Sequence, residues 1–331
     1  ENAAMDLGAS TIGGTANFNS TSNVITDSGT LAITGATTIN AGTADITLDQ
    51  AASTFGALAL TGANVAVTEN AATDLAASTV SGTLGVTSTG AVTDSGTLAI
   101  TGATTISASG QDITLDEAAS TFGALALTGA NVAVTENAAT DLAASTVSGT
   151  LGITSAGAVT DSGTLAITGA TTISASGQDI TLDEAASTFG TLALTGSNVA
   201  VTENAAMDLG ASTIGGTANF NSTSNVITDS GTLAITGATT INAGTADITL
   251  DQAASTFGAL ALTGANVAVT ENAATDLAAS TVSGTLGVTS TGAVTDSGTL
   301  AITGATTISA SGQDITLDEA ASTFGTLALT G

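Results

Sequence analysis

Large apolar residues recur two apart in short runs along the whole chain. Examples are Thr97-Leu98-Ala99-Ile100-Thr101, Asp112-Ile113-Thr114-Leu115-Asp116, Ala124-Leu125-Ala126-Leu127-Thr128 and Asn131-Val132-Ala133-Val134-Thr135. Side chains two apart share one face of a β-strand, so Leu98/Ile100, Ile113/Leu115, Leu125/Leu127 and Val132/Val134 predict half-buried strands. Gly, Ser, Asn and Asp stand between the runs and predict turns. No apolar stripe of period 3.6 outlasts one helical turn, and threonine is abundant, so helices are not expected.

The runs belong to a repeat. Glu1-Asn2-Ala3-Ala4 returns at Glu69, Glu136, Glu203 and Glu271, at spacings of 68, 67, 67 and 68. Residues 1–129 return as 203–331 with one difference, Ala124 against Thr326, so a 202-residue block overlies the shorter unit. The units run approximately 1–68, 69–135, 136–202, 203–270 and 271–331. The 68-residue form places its extra residue near Asn17-Phe18-Asn19, where other units read Leu84-Gly85-Val86-Thr87. Repeats of this kind stack into solenoids. Eight or nine short strands per unit suit three-sided coils, with about three coils of roughly 22 residues in each 67-residue repeat, and four coils of about 17 residues as the weaker alternative. The expected fold is all-β, a parallel β-helix (β-solenoid). The chain opens inside a repeat and is read as one continuous solenoid segment of a longer protein.

Composition narrows the chemistry. The chain has 28 Asp plus Glu, no Lys, Arg or His, and a formal net charge of −28. It also lacks Cys, Pro, Trp and Tyr, yet 43% of it is hydrophobic, enough to bury a core. Without Cys there is no disulfide, thiolate nucleophile or redox role. Without His or Cys the usual zinc site cannot form. Without Lys or Arg nothing attracts nucleic acid or an anionic membrane surface. No apolar run is long enough for a membrane-inserted helix. All 7 Phe fall at repeat-equivalent places and are expected in the core.

Three stretches carry a family resemblance. They are Asp161-Ser162-Gly163-Thr164-Leu165-Ala166-Ile167-Thr168-Gly169-Ala170-Thr171-Thr172-Ile173, Asp179-Ile180-Thr181-Leu182-Asp183, and Leu192-Ala193-Leu194-Thr195-Gly196-Ser197-Asn198-Val199-Ala200-Val201. They resemble the shaft repeats of filamentous-haemagglutinin-like bacterial exoproteins. The resemblance implies a right-handed β-helix, secretion through the outer membrane, and a place in adhesion or biofilm. The secretion domain that marks two-partner export in that family is not in this segment.

Carboxylates are the only ionisable side chains. Asp112 and Asp116 stand four apart and share a strand face, as do Asp179/Asp183, Asp45/Asp49, Asp247/Asp251 and Asp314/Asp318; Glu117, Glu184 and Glu319 follow three of these pairs. Clustered oxygens suit hard cations, so Asp112, Asp116, Glu117, Asp179, Asp183, Glu184, Asp314, Asp318 and Glu319 are candidates for weak Ca²⁺ binding. A solvated acidic face is the competing reading, and the favoured one. Asn19-Ser20-Thr21 and Asn221-Ser222-Thr223 match the glycosylation sequon, a match that Asn/Ser/Thr-rich sequence produces by chance.

An active site needs one asymmetric constellation, whereas each carboxylate pair here recurs. The leading expectation is therefore no enzyme and no required cofactor. In its place stands a structural extracellular fibre or adhesin shaft, secreted or on a bacterial surface, self-associating end to end. A receptor- or glycan-binding module is the alternative, and a carbohydrate-active enzyme a distant third.

Overall fold

The computed structural model describes residues 1–331. It is all strand and turn, a parallel β-solenoid of about 16 turns without helix. It comprises two units, Glu1–Gly169 and Ala170–Gly331. The expected inward pairs are inside: Leu98, Ile100, Ile113, Leu115, Leu125, Leu127, Val132 and Val134 are each at most 3% exposed. Burying each such side chain contributes roughly 1.5–3 kcal/mol.

In the first unit, one ladder runs through Ile46–Leu48, Val65–Glu69, Leu84–Ser88, Thr104–Ser107 and Leu125–Gly129, each strand parallel to the next. A second ladder runs from Leu58–Gly62 to the short strands Thr73–Leu75 and Ser78–Val80. It continues through Val92–Asp94, Ile113–Leu115, Val132–Glu136 and Leu151–Ser155. A third side is brief: Ser10–Ile12 pairs with Leu31–Ile33, and Ala32 bridges to Thr54.

The registers refine the coil count. Val65 pairs with Leu84, Leu84 with Thr104 and Thr104 with Leu125, so each of these coils is one position longer than the last. The next is the shortest of the series, with Leu125 paired to Leu142. Three coils from Val65 return the chain to its own ladder at Leu125; the repeat-equivalent strand, Val132–Glu136, then lies in the other ladder. The figure of about three coils thus becomes close to three and a half coils per repeat. The second unit behaves alike. Val199–Thr202 lies between Ile180–Leu182 and Ala218–Asn221, while Val267–Glu271 lies in the other ladder, between Ile248–Leu250 and Leu286–Ser290.

The 68-residue form is accommodated in a turn. Val67 pairs with Val86, and Val201 with Phe220 in the same register. The extra residue therefore follows the strand, directly after the expected Asn17-Phe18-Asn19. It sits in the turn after Asn19 and after Asn221, where Thr21, Ser22, Thr223 and Ser224 adopt positive φ. Ser20 and Ser222 are fully buried there, so each sequon has its middle residue inside. Core volume is conserved by exchange: Ala218 and Phe220 occupy the places of Leu84 and Val86. Phe220 is completely buried, and Phe55, Phe122, Phe189 and Phe257 are buried too. Phe18 and Phe324, in the outermost coils, are half-buried.

Glycine lines a tight corner. Gly82 and Gly102 stack on successive coils, and a Cβ on Gly102 would stand 2.6 Å from the Gly82 carbonyl oxygen. At Gly85, by contrast, the nearest atom to a Cβ would be the Val65 oxygen at 3.8 Å. Gly102→Ala is expected to lower stability by about 3 kcal/mol, because backbone must move, and Gly85→Ala to stay within about 0.5 kcal/mol. Urea-denaturation midpoints of the two variants measure the difference; equal midpoints would remove the steric account of the corner.

Candidate functional site

The sequence-predicted acidic residues divide between two structural tasks. Asp112 and Asp116 flank the strand Ile113–Leu115 at its two ends, and both are exposed. Asp112 Oδ1 accepts the Asn131 backbone N–H and side-chain amide, each at 3.0 Å. Asn131 Oδ1 in turn accepts the Thr150 N–H at 3.1 Å and its hydroxyl at 3.2 Å. Asp179–Asn198–Thr217 forms the same polar column in the second unit. Asp183 and Glu184 are exposed, as are Asp314, Asp318 and Glu319 in the last coils. No three acidic side chains converge on a point that could hold a metal ion.

Asp116 and Glu117 are tied to a different carboxylate. Asp94, 8% exposed, accepts the Asp116 N–H at 2.8 Å on Oδ1 and the Glu117 N–H at 3.4 Å on Oδ2. Burial pushes the Asp94 carboxyl up; the two N–H bonds oppose this, and the charges of Asp116 and Glu117 add to the rise. Asp229 and Asp27 make equivalent bonds to Asp251 and Asp49, and both are also raised by burial.

Asp94 anchors the start of a segment that forms no strand, Asp116 to Gly123. Its chain turns at Glu117–Ser120, with the Ser120 N–H donating to the Glu117 oxygen at 2.9 Å. Thr121 makes an isolated bridge to Ala99 on the coil below. Apart from that bridge and the Asn137 N–H donated to the Ser120 oxygen, ladder bonds are missing on both sides, and side chains supply them. Ser120, fully buried, accepts the Leu98 N–H at 3.0 Å from the coil below. Toward the coil above, the Phe122 N–H donates to Glu136 Oε1 at 2.8 Å. A buried N–H left without an acceptor costs about 1–3 kcal/mol, so these side chains take over the work of a strand.

Glu136 is the residue that sequence reasoning missed. It and its equivalents Glu69, Glu203 and Glu271 are at most 2% exposed, and each accepts the N–H of a phenylalanine 14 residues earlier. The second oxygen, Oε2, has no hydrogen-bond partner in any of the four. With no Lys, Arg or His in the chain, no side-chain cation compensates it. Burial raises all four carboxyls, opposed by the phenylalanine N–H. At Glu69, Glu136 and Glu271 a threonine hydroxyl (Thr73, Thr140, Thr275) also favours the charged form. The Thr73 and Thr275 hydroxyls make no other hydrogen bond, while that of Thr140 donates to Ser155 Oγ at 3.0 Å. At Glu203 that threonine is replaced by buried Met207, and the carboxyl is pushed up to about 7. The signal was present in the alternation: the parity that puts Val132 and Val134 inside puts Glu136 inside as well.

With this geometry in place, comparison with known proteins adds a family. A family profile described as repeats of unknown function (DUF5649) matches residues 1–61, 62–128, 129–195, 196–263 and 264–330. The chain belongs to this family. No curated protein and no solved structure matches it. The matched DUF5649 repeats break at the ends of the strands Leu58–Gly62 and Leu125–Gly129, just before the chain crosses to the other ladder. The second, third and fifth matched repeats thus open on a strand that ends in a buried glutamate, and the fourth on one that ends just before Glu203.

Ser120→Ala is expected to cost about 1–3 kcal/mol, since the Leu98 N–H loses its acceptor in a dry interior. Ser95→Ala, at an exposed turn position, is expected to be neutral. Guanidinium denaturation of the two variants checks this; a neutral Ser120→Ala would mean that the hydroxyl is dispensable to the strandless segment.

Proposed function

We propose that the chain is a shaft: a length of stacked coils that spaces other parts of a fibrous bacterial surface or matrix protein, outside the cell. The observation that carries this reading is the half-integer repeat. From one repeat to the next the strand pattern moves to the other ladder, so neither sheet accumulates a unique surface. A chain of this kind grows along one axis by adding repeats, with each coil bonded to its neighbours and the same narrow core throughout. Its mechanism is geometric: length is set by repeat number and stiffness by the parallel ladders. The all-acidic composition supports the same role, because like-charged shafts resist random lateral sticking. Membership of a family defined only by repeats agrees with it. In this reading adhesion, if the whole protein performs it, belongs to parts that the shaft carries.

Inserting a further copy of residues 1–202 before residue 203 preserves every junction, because residues 1–129 and 203–331 are almost identical. Three repeats of three and a half coils at ~4.8 Å spacing add about 50 Å to the longest dimension. Small-angle X-ray scattering of the 331-residue chain and the lengthened chain is expected to show that increase with an unchanged cross-section. A gain in thickness instead would rule out the shaft.

A further inference from the structure

We propose that Glu69, Glu136, Glu203 and Glu271 are proton-operated latches: the neutral carboxyl holds the strandless Ser-Thr-Phe-Gly segment against the coil above it, and ionisation releases that segment. The geometry is the same four times. The segment has no strand over its phenylalanine, the glutamate fills that place, and one carboxyl oxygen is committed to the phenylalanine N–H. The other oxygen is sealed from water with no partner, an arrangement that penalises an anion far more than a neutral acid.

Around Glu136 each packed element is accounted for. The segment below carries Asp116 and Glu117 at its far end, where they act on Asp94. The strand Thr140–Leu142, which follows, carries Asp141 at its outward middle position. The strand above places buried Ser155 opposite Glu136 and has no ionisable residue. Every charged group nearby is therefore an acid. None of them contributes to the rise at Glu136, which burial causes, with the Phe122 N–H and the Thr140 hydroxyl opposing it.

The sign follows from linkage. A carboxyl whose folded-state pKa lies above its ordinary 4.5 is favoured in its neutral form, so its stabilisation is complete below that value. It is lost as pH rises, and at Glu203 the window extends up to about 7. The latch at Glu203, with Met207 in place of threonine, opens last on alkalinisation. The device makes these coils tightest in mild acid, the reverse of a fold held by salt bridges.

Hydrogen exchange of the full chain, read by mass spectrometry, tests this at Glu203. The peptide from Ser187 to Ser197 can be followed separately because Ser197 occurs in only one repeat. After correction for intrinsic rates, its opening constant is expected to rise at least tenfold between pH 5 and pH 8.5. In Glu203→Gln, whose amide oxygen can still accept the Phe189 N–H, the constant is expected to stay at the low-pH value throughout. Met207→Thr is expected to move the transition to lower pH. A pH-independent constant in the natural chain overturns the proposal. So does Glu203→Gln exchanging fast at both pH values, which would make the glutamate a fixed structural acceptor.

Discussion

Each coil of this solenoid must place its backbone N–H and C=O groups against those of the coils beneath and above, because the interior offers no water in exchange. Parallel ladders do most of this, and where strands run out the side chains finish it. Asp112 and Asn131 continue the bonding through an exposed turn, while Ser120, Asp94 and Glu136 serve the strandless segment from Asp116 to Gly123. The same demand for close, in-register coils forces glycine at the Gly82–Gly102 corner, where any Cβ would meet backbone. Turn residues, polar interior residues and glycines thus answer to one constraint.

A period of three and a half coils follows from how unevenly the coils are built. Coils differ in length because their corners consume different numbers of residues: the step from Leu125 to Leu142 is short, and that from Thr104 to Leu125 is long. Their combination ends each repeat on the ladder opposite to the one on which it began. Side chains that recur with the sequence therefore alternate between two sheets. Bulk exchanges such as Phe220 for Val86 are tolerated within this plan because Ala218 gives up volume on the same strand.

Acidity costs this fold little on the outside and more on the inside. Exposed carboxylates remain hydrated and screened. The buried ones lack any cation and are held chiefly by backbone N–H groups, so their protonation state is coupled to the coil that supplies those groups. Replacement of threonine by Met207 shows how one side chain tunes that coupling: without the hydroxyl, Glu203 has one fewer group to favour its charge.

The alternation of residues in this sequence was enough to determine the strands, their inward faces and the absence of helix, because side-chain direction along a strand is a local property. It placed Leu125 and Leu127 inside, and read one step further it also places Glu136 inside. The repeat length was equally plain. Register was not, since coil length depends on how many residues each corner consumes, and corners of different length are built from the same Gly, Ser, Asn and Asp. Only the tertiary structure decided that Glu136 meets the Phe122 N–H, that Asp112 meets Asn131 rather than another acid, and that the extra residue of the 68-residue form lies in a turn. Each of these is a contact between coils, fixed by the summed lengths of the turns between them, and no local pattern records that sum.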